Sequence, residues 1–151
     1  MNDAINQSVV PLYVVNIAVD TARLYSQTSG PYSNTGIYMM DNNLNGGSTG
    51  EGGLELHSQV TTNASIGFNV FPIDNAGNQG DTVEIEAFEI SNGTDIFGNW
   101  GYPKKQDSGA YQWIGRVFNQ GECTYQIKIA ISIGGAPKKY FWWDPSFTST
   151  S

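Results

Sequence analysis

The order of apolar and polar positions is the most informative feature of this chain. In LYVVNIAVD, residues 12–20, Tyr13, Val15, Ile17 and Val19 fall on one side of an extended backbone, and Leu12, Val14, Asn16 and Ala18 fall on the other. Alternation with β-branched residues predicts a strand buried on one face. The pattern is strongest in TYQIKIAISI, residues 124–133, where Tyr125, Ile127, Ile129, Ile131 and Ile133 oppose Thr124, Gln126, Lys128, Ala130 and Ser132. Weaker matches predict strands over 36–41, 54–60, 65–71, 82–90 and 110–118. In 82–90 the alternation sets Val83, Ile85 and Ala87 against a solvated face of Glu84, Glu86 and Phe88. Asp20 is placed to cap one short helical turn through Ala22, Arg23, Leu24 and Tyr25. The glycine-rich NNLNGGSTGEGG, residues 42–53, reads as a mobile hairpin connection, and PIDNAGNQGD (72–81) and SNGTD (91–95) read as turns. Eight or nine closely spaced strands with almost no helical periodicity predict an all-β fold. The expectation is a single-domain antiparallel β-sandwich, jelly-roll-like, spanning 1–151 with its core over about 10–147.

The C-terminal KKYFWWDPSF, residues 138–147, raises a separate question. In a strand Phe141 and Trp143 face one side while Tyr140 and Trp142 face the other. One pair fills a core; the other needs a cover, which a neighbouring loop, a ligand or another protein molecule would supply.

Composition narrows the partners. Charged residues make up only 14% of the 151-residue chain, and net charge is −7, which repels phosphate backbones and argues against nucleic acid. Residues 1–103 carry eleven acidic side chains and one basic, Arg23, whereas 104–151 carry six basic and three acidic. Strand interleaving would mix these charges; a two-signed surface would instead favour head-to-tail association. Cys123 is the single cysteine, so no intrachain disulfide forms and a reducing compartment is natural. MNDAINQS has neither a basic n-region nor an apolar h-region, and no stretch is long and apolar enough for a bilayer. A cytoplasmic protein without a membrane partner is expected.

No residue cluster carries a strong chemical signature. His57 is the only histidine and reads as a surface strand residue, although a hydrolase assembled around it in space stays open. Glu84 and Glu86, on one strand face, have a spacing compatible with a glycosidase pair but read as a solvated face. Asp74, Asn75, Asn78 and Asp81 offer oxygen ligands on a glycine-bearing turn, a weak calcium candidate without EF-hand spacing, so no metal or other cofactor is expected. The glycine-rich loop lacks the Gly-Lys-Ser/Thr of a phosphate loop. Cys123 beside Glu122 reads as a buried, unactivated thiol. Aromatic rings beside polar groups make Asn99, Trp100, Tyr102, Trp142, Trp143 and Asp144 the candidate ligand-binding residues, with a glycan as the class such platforms take.

The motifs resemble those of a known family. IKIAISI followed by YFWWDPSF is similar to the end of the PixA/AidA-type bacterial inclusion body proteins. VVNIAVDTARLY, IYMMD and GDTVEIEAFEI resemble their first, second and central strands, in the same order. The resemblance covers about 12–147; the glycine-rich 45–53 loop and a shorter region after Asp95 depart from it. It implies an abundant, non-enzymatic protein of the kind that accumulates in cytoplasmic inclusions, without established catalytic residues, and with Asp144 and Pro145 in a structural role. Self-association is therefore the expected function. A lectin-like carbohydrate-binding module is the alternative.

Overall fold

The alternating segments do form a β-sandwich. A computed structural model describes residues 10–73 and 80–151. The first sheet contains β1 (Tyr13–Val19), β3 (Ile37–Asp41), β5 (Ser65–Pro72), β7 (Lys104–Lys105) and β8 (Trp113–Arg116), in the order β3-β1-β5-β8-β7. The second contains β2 (Gly30–Pro31), β4 (His57–Thr61), β6 (Thr82–Gly93), β9 (Gly121–Ser132), β10 (Lys139–Trp143) and β11 (Ser146–Thr150). Here β9 is central. β6 pairs along one side of it, and β10 and β11 follow one another along the other, flanked in turn by β2 and β4.

Several details differ from the sequence expectation. Eleven strands are present among the described residues rather than eight or nine, because β2 and β7 are two residues long and too short to show a period. The sheets are mixed rather than purely antiparallel: β1 with β5, β10 with β2, and β11 with β4 run parallel. Alternation reports which face a residue occupies and carries no information about the direction of the neighbouring strand. Helical structure also exceeds one turn. The expected element is α1 (Thr21–Tyr25), where the Asp20 carboxylate accepts from the Arg23 N–H at 3.1 Å. A second, α2 (Gly98–Gly101), and a 3-10 turn (Leu44–Gly46) add to it.

The core lies between the sheets. Val15, Ile17 and Val19 on β1, Ile66, Phe68 and Val70 on β5, and Ile127, Ile129 and Ile131 on β9 are all buried, as their alternation requires. At one end an aromatic cluster forms around Phe147, which stacks on Tyr125 at 4.5 Å between centroids and meets Phe97 and Phe68 edge-on at 5.8 and 6.4 Å.

β6 corrects the simple alternation. A bulge falls between Ile85 and Ala87, where the ladder to β9 shifts by a residue. Glu86 is the extra residue, so Phe88 turns inward against Phe68 at 4.7 Å and Ala87 turns out to solvent. Glu84 and Glu86 therefore do not sit at plain strand spacing, and Glu84 pairs with Lys138 at 2.8 Å.

The glycine-rich segment is not a hairpin connection. It crosses from the first sheet to the second and is bonded to both. Met39 and Gly53 form one bridge, and Thr49 and His57 another. Asn43 Nδ2 also donates to the Gln59 carbonyl at 2.7 Å, and the Gln59 N–H donates to Ser48 Oγ at 3.0 Å.

Two substitutions check this register. Ala87→Asp should leave stability within about 0.5 kcal/mol of the parent in urea denaturation, as an exposed change does. Phe88→Asp should abolish cooperative folding, because it buries an unpaired carboxylate. Uninterrupted alternation would give the opposite ranking.

Candidate functional site

The outer face of the second sheet can be read rung by rung. β10 and β11 hold one register on β9, since Phe141 opposes Ile129 and Phe147 opposes Cys123. Asp144-Pro145 therefore interrupts the strand without shifting it, and the Pro145 carbonyl still accepts from the Tyr125 N–H at 2.9 Å. Proline cannot donate to a ladder, so the break costs one hydrogen bond and no register. Trp142 lies opposite Lys128, which lies opposite Ala87. Glu89 and Gln126 form the next pair, with Asp144 beyond, 3.5 Å from Gln126 Nε2.

Trp142 and Asp144 line a cleft of about 390 Å3 with Tyr32, Glu55, Gln126 and the edge of Trp143. The Lys128 ammonium stands 5.2 Å from the Tyr140 ring and 5.7 Å from the Trp142 ring, so a cation covers part of the outward aromatic pair. Trp143 itself points inward, and its Nε1–H donates to Met39 Sδ at 3.1 Å. The chemistry on offer is an aromatic plane next to an amide and two carboxylates, which suits a polyhydroxylated ring.

The other aromatic candidates lie elsewhere. Trp100, 87% exposed, Tyr102, Lys104 and Arg116 line a separate cleft of about 410 Å3 beside β8. α2 is pressed onto β8 so closely that a Cβ at Gly101 would collide with the Arg116 carbonyl oxygen. Asn99 is exposed on the same turn. Tyr102 fastens this turn to β6, since its hydroxyl donates to the Phe88 carbonyl at 2.5 Å. Burial, then Asp95 and Glu89, push its phenol above the usual range and keep it a neutral donor. The structure thus divides the six candidates between two clefts and the core.

His57 meets hydroxyls that its sequence neighbours do not reveal. Parallel pairing of β4 with β11 sets it beside Ser146, with Nδ1 2.6 Å from Ser146 Oγ and Nε2 2.7 Å from Thr148 Oγ1. Thr148 Oγ1 is in turn 3.3 Å from Glu122 Oε1. A serine, a histidine and, through a threonine, a glutamate are therefore linked. The Ser146 N–H, however, is taken by the Leu56 carbonyl at 3.1 Å, and this nucleophile candidate lies within a strand ladder rather than beside free N–H groups. The linked side chains tie β4 to β11.

Cys123 faces the core, and burial pushes its thiol up to about 11. Of the turn with the weak calcium pattern, Asp74, Asn75 and Asn78 lie outside the described residues, and Asp81 accepts from Thr21 Oγ1 at 2.9 Å. Among the described residues no three His, Cys, Asp or Glu side chains converge, and no helix is long and apolar enough to cross a membrane.

With this geometry established, comparison with known proteins assigns the family. The model of a domain of unknown function, DUF8788, matches residues 13–139. The chain belongs to the DUF8788 family. Its fold is shared with the crystal structure of an inclusion body protein, PixA, from Burkholderia cenocepacia J2315. The TM-score is 0.72 over 91% of this chain and 94% of that one, at 14% identity. The motif resemblance to PixA/AidA-type proteins therefore holds at the level of fold. No curated protein matches the DUF8788 chain.

The buried thiol gives a direct check. A neutral Cys123 is the form the fold accommodates, so its contribution is complete below pH 9 and is lost as pH rises through about 11. At pH 8 the native protein should resist a disulfide reagent such as DTNB, with labelling appearing only as urea unfolds the chain. Rapid native labelling would place Cys123 on the surface.

Proposed function

We propose that this DUF8788 protein is non-enzymatic and self-associates into cytoplasmic inclusions or related higher-order assemblies. The observation that carries this reading is the outer face of the first sheet. Its central rung runs Tyr38–Ala18–Phe71 and the next runs Met40–Asn16–Asn69. Tyr38 is 38% exposed and Met40 39%, and no outward position on β1, β3, β5, β7 or β8 carries an acidic side chain. Beyond β5 the face continues to Lys104 and Arg116. In a chain of net charge −7, this acid-free aromatic face is anomalous for a surface that meets only water.

The outer face of the second sheet carries carboxylates: Glu89, Glu122 and Asp144 lie outward on or beside its strands, around Lys128, while Glu84 is paired with Lys138. The first face of one copy laid on the second face of the next buries apolar area and joins opposite charges. Such a contact is heterologous and does not close on itself, so it builds arrays. The fold shared with an inclusion body protein supports the same reading. Pairing through the β6 edge does not contribute. β6, a twelve-residue edge strand, carries Glu84, Glu86 and Glu89 and two irregularities, which blunt it against strand addition.

Sedimentation velocity tests the proposal. The protein should shift to larger species with concentration, and the shift should weaken as salt rises from about 0.05 to about 0.5 M, where screening shortens charge interactions to a few ångströms. Met40→Glu should reduce assembly at least tenfold in concentration while leaving the circular dichroism spectrum unchanged. A strict monomer at the highest soluble concentration would remove the proposal.

The Trp142 cleft favours a second reading, a lectin-like glycan site with Trp142 as platform and Asp144 and Gln126 as polar partners. A glycan array with tryptophan fluorescence titration tests it. Binding lost in Trp142→Ala and kept in Trp100→Ala supports it, and an array without hits removes it.

A further inference from the structure

Five buried side-chain oxygens lack a hydrogen-bond partner among the described residues: Asp41 Oδ2, Glu51 Oε2, Ser58 Oγ, Tyr125 OH and Ser149 Oγ. Two of them belong to carboxyl groups within hydrogen-bonding reach of each other, and a third, Ser58 Oγ, lies beside Asp41. Asp41 closes β3 with the same inward orientation as Ile37 and Met39, and Ser58, 2% exposed, points inward from β4 in the opposite sheet. Glu51 and the buried Ser48 arrive from the glycine-rich crossover. The four side chains thus meet where the two sheets and the crossover come together.

The hydrogen bonds explain what is missing. One oxygen of each carboxylate is served by a backbone N–H: Asn43 donates to Asp41 Oδ1 at 2.9 Å, and Asp41 donates to Glu51 Oε1 at 2.8 Å. Ser48 Oγ already accepts from Gln59. The other oxygen of each carboxylate, Asp41 Oδ2 and Glu51 Oε2, is buried without a donor, and the one ion pair among the described residues, Lys138 with Glu84, is elsewhere. Two carboxylates placed so closely repel unless a positive charge lies between them. Tyr125, 1% exposed, adds a further unpartnered hydroxyl in the same core. Burial and the nearby Asp41 carboxylate raise the Glu51 pKa, so a shared proton is the competing occupant.

We propose that Asp41 and Glu51, with Ser58 and Ser48 as neutral oxygen donors, bind one Ca2+ ion at the junction of β3, β4 and the glycine-rich crossover. The donors are all oxygen, which favours a hard cation over zinc. The crossover is shaped by glycines in left-handed conformations, Gly47, Gly50 and Gly52, and a flexible set completed by water suits calcium better than the rigid octahedron of magnesium. Glu51 is partly exposed, which gives the ion a route in. With only two charged ligands, affinity belongs at the weak end of calcium sites, about 10⁻⁴–10⁻³ M. Bound calcium would fasten the crossover to both sheets and stabilise the native state by mass action. This site is independent of the self-association reading.

The test uses the whole chain, stripped with EDTA and titrated with CaCl2, MgCl2 and ZnCl2 while thermal unfolding is followed. The expected result is a saturable rise in Tm with calcium and a smaller one with magnesium. Calorimetry should give one calcium per chain. Glu51→Gln, which keeps an acceptor for the Asp41 N–H and a donor for its carboxylate, should fold and lose the calcium response; Asp41→Asn should also lose it. Absence of a calcium-dependent shift up to about 10 mM, well above that affinity range, would overturn the proposal. So would a full calcium response in Glu51→Gln. A Glu51→Gln protein more stable than the parent with and without calcium would overturn the proposal in favour of a proton shared by the two carboxyl groups.

Discussion

The arrangement depends on one constraint: β9 must bury one face along its whole length while pairing on both edges. Cys123, Tyr125, Ile127, Ile129 and Ile131 all point inward, and a slip of one residue would turn all five outward. β6 satisfies one edge with the help of its bulge. Residues 139–150 satisfy the other as a single interrupted strand, in which Phe141, Trp143, Phe147 and Ser149 continue one buried row across Asp144-Pro145. The Asp-Pro pair therefore belongs to the architecture. It opens a gap in the ladder while the inward row continues, and it leaves Asp144 on the outside next to Trp142 in the cleft.

That same row explains why the aromatic terminus divides into two roles. Phe141 and Trp143 are core, whereas Tyr140 and Trp142 lie under Lys128 on the outer face. The outer faces of the two sheets then diverge in character. One is acid-free and carries Tyr38, Met40 and Phe71. The other concentrates carboxylates around Gln126 and Lys128. The charge imbalance along the sequence, with most acids before residue 104 and most bases after it, does not divide the molecule into halves, because β9 interleaves with β6.

Much of the fold is legible in the sequence because burial has a period. β1 alternates throughout and β9 alternates as far as Ile129, beyond which Ala130 and Ser132 are buried too, and α1 has its Asp20 cap, so both kinds of element can be read directly. The rest fails for identifiable reasons. A bulge adds one residue and exchanges the faces beyond it, so Ala87 and Phe88 trade places; the three-residue spacing of Ile85 and Phe88 is the trace it leaves. β2 and β7 are too short to have a period. Parallel pairings depend on long crossovers, and these alone bring His57 to Ser146 and Thr148. Asp41, Glu51 and Ser58 come from three segments with different local patterns, and only their missing hydrogen bonds single them out. The glycine-rich crossover misleads in the other direction: its composition is that of a flexible loop, yet its backbone is bonded to Met39 on one sheet and His57 on the other.

Under the proposed self-association, another copy of the chain covers the acid-free face of the first sheet. Cryo-electron microscopy of assembled protein tests this most directly, because it shows what lies over Tyr38, Met40 and Phe71. These side chains should be buried against the Glu89- and Asp144-bearing face of a neighbouring molecule, with the contact repeating in one direction. Assemblies in which the three residues face solvent, or in which copies join through β6 edges, would contradict it.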